Sequence, residues 1–398
     1  MKKNIVIIGA GIAGCSLAHF LAQDGWHVTI LEAEENIAQG GSGNPVAAIY
    51  PKFMLNDEAH NHFMLKSFAF TTAWINQIGL KSKDYGFNGA IEFLDKEYAQ
   101  KMAFNLSKDI SFRDKIFDLL SPSLLQKYLF NKDSSGLFFH QGGWVNPIAL
   151  CHHLVDHKRI KVITHQKMIS IKKIKKQWIL QTKDRKIFNV THVAICNATQ
   201  INQFNLTAHL DIDAFRGQIN WVSATSFDMP PIVSCDMGYL APLIHGQHIF
   251  GATYAMNDFE KNLRLSDTKK NIASIKEIHN GFYKHCLMQP KIEGRVAWRA
   301  STKDRKPYVG QIFDDKVFKK MRVRELANPA NLPWLDNLYV ASGFGSRGFT
   351  FAPYCAYVLS HLINKNLSQE DKETLNYTNP ERYRLKKMSL KKVASRIF

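Results

Sequence analysis

The chain has 398 residues, more than one hydrophobic core usually supports, so two interleaved domains around a sizeable interior are expected. Hydrophobic residues make up 45% and charged residues 22%, near the globular average, which excludes a long disordered segment. Lys and Arg number 52 against 34 Asp and Glu, a net +18 with a pI near 9.5. That excess favours an anionic partner, nucleic acid first and an anionic membrane surface second, although a Lys-rich solvated surface with no partner carries the same charge. Six cysteines lie far apart with no Cys-x-x-Cys pair and no His at zinc spacing, so reduced thiols in a cytoplasmic protein are expected, with no metal site.

Residues 4–8 form a short β-branched apolar run. Gly9-Ala10-Gly11-Ile12-Ala13-Gly14 follows, then a helical pattern over 12–23 and a second strand over 27–31 that ends at Glu32. This is a complete βαβ dinucleotide fingerprint, with the acid eighteen positions after the last glycine. Gly9 permits the tight turn, Gly11 lets backbone approach a pyrophosphate, and Gly14 allows close packing of helix on strand. The helix N-terminus offers unpaired N–H groups and partial positive charge. Glu32 is expected to accept from a ribose 2′-hydroxyl, and its charge disfavours the 2′-phosphate of NADP, leaving FAD or NAD. The same stretch imitates a lipoprotein signal ending at Cys15, but cleavage there would destroy the fingerprint.

The small residues of 40–51, Gly-Gly-Ser-Gly-Asn-Pro-Val-Ala-Ala-Ile-Tyr-Pro, let backbone come close to a flat, phosphate-bearing ligand. Residues 168–181 alternate and predict an antiparallel hairpin. The stretch 311–336 has little periodicity and is expected to be an exposed insertion. Residues 337–342 predict a strand that runs into the second glycine turn, Gly343-Phe344-Gly345-Ser346-Arg347-Gly348-Phe349, and a helix from 352 to 362. A helix N-terminus aimed at a flavin N1 and C2 carbonyl would stabilise the negative charge of reduction, a need NAD enzymes lack. The paired turns favour FAD.

The two turns, the loop containing Ser42, Gly142-Gly143-Trp144-Val145-Asn146-Pro147, Arg216-Gly217-Gln218 and the run from Arg299-Ala300-Ser301-Thr302 to Gly310 together resemble the D-amino acid oxidase superfamily over nearly the whole chain. Gly41-Ser42-Gly43-Asn44, Phe250-Gly251-Ala252-Thr253-Tyr254 and the late turn are most similar to the flavin-dependent half of the bifunctional proteins of tRNA 5-methylaminomethyl-2-thiouridine biosynthesis. The resemblance implies an α/β (α+β) fold: an FAD-binding Rossmann-like domain with an interleaved antiparallel-sheet substrate domain. Residues 1–85, 146–212 and 335–375 fall in the first, 86–145 and 213–334 in the second, and 376–398 form a basic tail. It also implies noncovalent FAD, held by Gly9, Gly11, Gly14, Glu32, Ser42, Gly43, Asn44, Ala48, Gly343, Gly345, Ser346 and Gly348. Ala297 stands where some superfamily members attach flavin through cysteine, and Cys355 is expected to be a small buried residue.

The implied reaction is oxidation of 5-carboxymethylaminomethyl-2-thiouridine at the tRNA wobble position to the aminomethyl nucleoside and glyoxylate. No methyltransferase half precedes Met1, so a separate methyltransferase is expected to act next, and no membrane partner is expected. Oxidising an amine needs the substrate carboxylate clamped, and a planar arginine fork suits that task. Arg299 and Arg347 are the candidates, with Tyr254 as a pocket wall or hydrogen-bond donor; a surface ion pair or core packing are the alternatives at these positions. Ala198 departs from the family, whose members usually carry glycine there. An oxidase or dehydrogenase of free glycine, sarcosine or D-amino acids, and a non-catalytic flavin-binding RNA scaffold, are the rival readings. In the tail from 382 to 398, seven residues are basic and none acidic. Leu385, Met388, Val393 and Ile397 could dock one face while Lys387, Lys391 and Lys392 point outward, toward tRNA phosphates, a membrane surface or solvent alone.

Overall fold

The structure is a computed structural model and describes residues 3–108, 116–127, 135–223, 229–236, 238–395 and 397–398. By contact the chain forms two compact units: Met1–Ser42 with Cys151–Ala214 and Arg299–Phe398, and Gly43–Leu150 with Phe215–Trp298. The interleaving is that of the expected α/β plan.

The first unit is built on a six-stranded sheet in the order Tyr308–Phe313, Trp334–Ser342, His192–Ile195, Asn4–Ile8, His27–Leu31, Ile160–Ile163. Every neighbouring pair is parallel except the first. Parallel strands are covered on both faces, which is why Asn4–Ile8 reads as an unbroken apolar run with Ile5, Val6, Ile7 and Ile8 all buried. Side chains alternate across the strand. Ile7 lies under the helix Ile12–Gln23, 3.2 Å from where a Cβ on Gly14 would be. Val6 and Ile8 pack on the other face, in one cluster with Trp178, Leu180, Val193 and Val340. That second layer is the expected hairpin, Met168–Ile174 with Gln177–Thr182, extended by a third antiparallel strand, Ile187–Val190.

The stretch 311–336 is not the exposed insertion that its weak periodicity predicts. Gln311 lies in the edge strand Tyr308–Phe313, opposite Tyr339. Phe313, Phe318, Leu326 and Leu332 are buried in a cluster of their own. The period is invisible because the segment breaks into single turns, Asp315–Phe318, Val323–Leu326 and Pro329–Asn331, each too short for a helical repeat to recur.

The C-terminal tail completes that cluster. It folds as two short helices, Arg382–Lys387 and Lys391–Ala394, with Leu385 and Ala394 buried and Met388, Val393 and Ile397 packed beside them. Lys387, Lys391 and Lys392 are exposed, as the spacing predicts; Arg396 lies outside the described residues. Arg382 and Arg384, however, face inward. Arg382 forms a bidentate pair with Asp304 at 2.7 and 2.9 Å, donates to the carbonyls of Lys306, Pro307 and Asn379, and lies over the Tyr308 ring. Arg384 pairs with Asp315 at 2.8 Å and Glu381 at 3.3 Å.

The second unit carries a nine-stranded, largely antiparallel sheet in which Ala90–Leu94 and Val233–Cys235 run parallel. Helices Leu265–Ile278 and Asn280–Leu287 cover it through Ile272, Ile275, Ile278 and Phe282, packed with Ile91, Val222, Leu240 and Phe250. A smaller sheet joins Ala47–Ile49 and Tyr85–Gly86 to Gly143–Val145, which places 43–85 in this unit by contact. Arg216 of the Arg-Gly-Gln motif is fully buried here. Its guanidinium meets Asp267 at 2.5 Å and the carbonyls of Glu260 and Asn262 at 2.7 Å, while Gln218 holds Arg264 and Thr268. The motif anchors the loop 258–268 to the sheet. Among the described residues no helix is long and apolar enough to cross a membrane, and no cluster of His, Cys, Asp or Glu could hold a metal ion.

Burial opposes the charge on Asp304, but the Arg382 guanidinium outweighs it and holds the carboxyl at about 2. A carboxyl depressed in the folded state stabilises above its ordinary value near 4, and that stability disappears as pH falls toward 2. Asp304→Asn leaves Arg382 buried without its counter-charge and should cost roughly 3 kcal/mol at pH 7. Denaturant unfolding of both proteins should show the difference shrinking between about pH 4 and 2; a constant difference across that window would count against this pair as its source.

Candidate active site

In an open parallel sheet, ligands bind beyond the carboxyl ends of the strands, where loops diverge. Here the ends at Ile8, Ile195 and Ser342 belong to adjacent strands, and each leads into a turn that the sequence marks. Gly9 has φ +102°, and a Cβ there would lie 2.7 Å from the carbonyl oxygen of Cys196. Gly14 has no room either: its Cβ would come 2.0 Å from the Gly9 oxygen. The absence of both side chains lets the helix Ile12–Gln23 begin directly over the strand end.

Gly11 caps that helix without a side-chain hydrogen bond. The N–H of Ile12 donates to Ser42 Oγ at 3.0 Å. A Cβ on Gly11 would sit 3.2 Å from the same hydroxyl, so a side chain there would press on Ser42 and crowd the cradle over the first turn. Glu32 Oε2 accepts from the Ala10 N–H at 2.6 Å and Oε1 from the Glu34 N–H at 3.0 Å. The carboxylate is thereby fixed at the end of the second strand. A helix N-terminus, an open glycine turn and an oriented acid could hold a pyrophosphate and its neighbouring ribose.

The second turn stands beside the first. The late helix runs Gly348–Asn364, longer than the pattern over 352–362 predicts, and its first residue lies against the start of the early helix, with the Gly348 Cβ position 3.8 Å from Ile12 Cγ2. Two partial positive charges therefore converge on one edge of the sheet. Gly343 has φ +79°, and a Cβ there would meet Thr302 and Ile212 at 2.8 and 3.1 Å. Gly345 and the exposed Ser346 form, with Arg347, a single helical turn leading into that helix.

Between these turns lies the loop after the strand His192–Ile195. Ala198 takes φ +50° and accepts from Ser342 Oγ at 3.0 Å. A left-handed backbone there is one that glycine adopts without steric cost and alanine does not. Asn197 was not foreseen. Its Nδ2 donates to the Gln200 carbonyl, while its Oδ1 is buried without a hydrogen-bond partner among the described residues. A buried oxygen at the strand ends is suited to a bound donor.

Of the proposed clamp residues, Arg299 is half-buried on the strand Glu293–Ser301. Ser301, two residues on, bridges to Phe344 of the late turn, and the half-buried Arg347 belongs to that turn. Arg295 and Ala297 share the alternation of Arg299 along that strand. Arg295 was missed in the sequence, although the i, i+2, i+4 spacing was there to read; it is desolvated enough to lower its pKa and donates to Asn44 Oδ1 at 2.9 Å. Asn44 and Gly43 belong by contact to the second unit, as does Ala48, which lies opposite Trp144; the boundary falls just after Ser42. Tyr254, also in the second unit, is 57% exposed and stacks on Phe215 with ring centres 4.3 Å apart, so it is not a core residue. All six cysteines are buried and none forms a disulfide.

Comparison with known proteins agrees with this geometry. Residues 4–362 match the family model described as FAD dependent oxidoreductase. The chain is 30% identical over 400 residues to the tRNA 5-methylaminomethyl-2-thiouridine biosynthesis bifunctional protein MnmC of Pseudomonas savastanoi pv. phaseolicola, with 97% of this chain and 60% of that protein covered. It is 29% identical over 395 residues to MnmC of Legionella pneumophila, with 97% and 58% covered. The chain thus spans about 60% of the length of these curated relatives. Among solved structures, iminodiacetate oxidase from Chelativorans has a TM-score of 0.75 at 15% identity, with 92% of this chain and 96% of that one covered. Glycine oxidase from Bacillus cereus has a TM-score of 0.73 at 15% identity, with 93% and 97% covered. These show a shared fold. With two glycine turns at one sheet edge and a family match over nearly its whole length, the chain belongs to the FAD dependent oxidoreductase family, and its cofactor is FAD.

Proposed function

We propose that this chain oxidises the carboxymethylaminomethyl group of wobble 2-thiouridine in tRNA, releasing glyoxylate and leaving the aminomethyl nucleoside. The observation that carries this reading is similarity along 97% of the chain to proteins of tRNA 5-methylaminomethyl-2-thiouridine biosynthesis. The aminomethyl product would then be the substrate for a methylation step.

FAD supplies a two-electron acceptor when bound. The first turn and Glu32 would hold its ADP half, and the late helix N-terminus would face the ring. All three contribute fixed dipoles or charge and need no rearrangement during turnover. The substrate amine must be neutral to lose a hydride from its adjacent methylene, and the resulting imine is hydrolysed by water to amine and aldehyde. Arg299 pairs with the substrate carboxylate in this scheme, and Arg347 contributes from the late turn. Tyr254, exposed and stacked on Phe215, is an aromatic face the second unit offers. Flavin attachment is noncovalent in this reading, supported by Ala297 and by Cys355, whose thiol is fully buried and pushed up by burial.

Gly11→Val would fill the first cradle, so the purified variant should lack the yellow colour of the parent. Acid precipitation of the parent should release all of its FAD; flavin left on the protein would refute noncovalent attachment. Arg299→Lys replaces a bidentate fork with a point charge and should lower kcat/KM roughly 10- to 100-fold with flavin content unchanged. The function itself is checked on nucleosides. tRNA from a strain lacking the protein should accumulate carboxymethylaminomethyl uridines, and such tRNA should bleach the flavin without oxygen whereas free sarcosine should not; unchanged wobble nucleosides would sink the assignment.

A further inference from the structure

Two basic stretches far apart in sequence are brought together in the first unit. Residues 315–332 contain five basic and two acidic side chains, and 382–398 contain seven basic and none acidic. Together they hold ten of the eighteen net positive charges of the chain. Phe318 and Leu326 from the first stretch share one buried cluster with Leu385 and Ala394 from the second. Arg384 stitches the two, pairing with Asp315 at 2.8 Å and lying over the Phe318 ring at 3.9 Å.

Apart from Arg382 and Arg384, the cations of these stretches among the described residues face out. Lys316, Lys320, Arg322 and Arg324 are exposed on one stretch, and Lys387, Lys391 and Lys392 on the other. We propose that this composite lobe is a docking surface for the phosphate backbone of a folded RNA, separate from the residues that hold FAD. The inference rests on the tRNA reading above and adds to it where the body of the RNA is held.

A polyanion fits better than a lipid surface. A helix that lies in a membrane interface turns its apolar face outward into the lipid. Here Leu385, Met388, Val393 and Ile397 are turned inward against the 313–332 segment, and the outer face is mostly lysine and arginine, with Val317 and Val323 exposed singly among them. The helices are four and six residues long, too short for an inserted face. Dense cations attract a phosphate chain through counterion release.

The test uses the full-length, FAD-loaded protein and a variant with Lys320→Gln, Arg322→Gln, Lys387→Gln and Lys391→Gln, sites that carry none of the internal pairs of the lobe. tRNA binding is measured by anisotropy over a salt series. The variant should bind on the order of tenfold or more weakly, with the log–log salt slope smaller by about 3, since each lost phosphate contact removes roughly 0.7 to 0.9. Its melting temperature, flavin spectrum and flavin reduction by the isolated modified nucleoside should match the parent. Equal affinity and slope would overturn the lobe even if the parent oxidises modified tRNA. If the parent fails to oxidise such tRNA while the variant still loses tRNA binding, the surface stands and the assigned reaction falls. Parent protein that binds vesicles of phosphatidylglycerol and phosphatidylcholine but not tRNA would overturn it in favour of a membrane.

Discussion

Everything at the ligand-binding edge depends on how closely the first helix presses on the first strand. A helix can start directly over a strand end only if no side chain stands between them, and the 2.0 Å gap at Gly14 leaves none. From that approach follow the direction of the helix dipole, the reach of Ser42 Oγ to the Ile12 N–H and the orientation of Glu32 by Ala10. The late helix packs against the early one and inherits its alignment. A single methyl group at Gly14 would disturb all of these, because interiors at crystal-like density transmit displacement instead of absorbing it.

The parts of the fold legible in sequence are those set by short-range rules. The βαβ turn is legible because a left-handed φ at Gly9 and a forbidden Cβ at Gly14 each select one residue type. The hairpin over 168–182 is legible because alternation reports a half-buried strand. What escaped had a non-local cause. The segment after Gln311 owes its burial to the C-terminal helices, seventy residues on, and nothing within it announces a partner at that distance. Arg216 read as part of a family motif, and only the structure shows it satisfied by a carboxylate and two carbonyls.

Electrostatics divides the arginines and lysines into two populations that composition cannot separate. Arg382, Arg384 and Arg216 are buried or nearly so, and each holds loops or helices in register through several fixed acceptors. An arginine fork suits that work because its donors are planar and pre-arranged. The lysines on the outer faces of the same helices have no such constraint. One short segment can therefore serve the interior with its arginines and the surface with its lysines, which is why a count of basic residues in the tail overstates the charge available to a partner.

Ala198 illustrates how a left-handed position can tolerate departure from glycine. Holding alanine at φ +50° costs about 1 kcal/mol relative to glycine in the native chain. In the unfolded chain, however, alanine samples fewer backbone states, which returns roughly 0.4 to 1 kcal/mol of that penalty as conformational entropy. At a left-handed φ the strain outweighs that return, so alanine here is held at a net cost that the surrounding turn must cover.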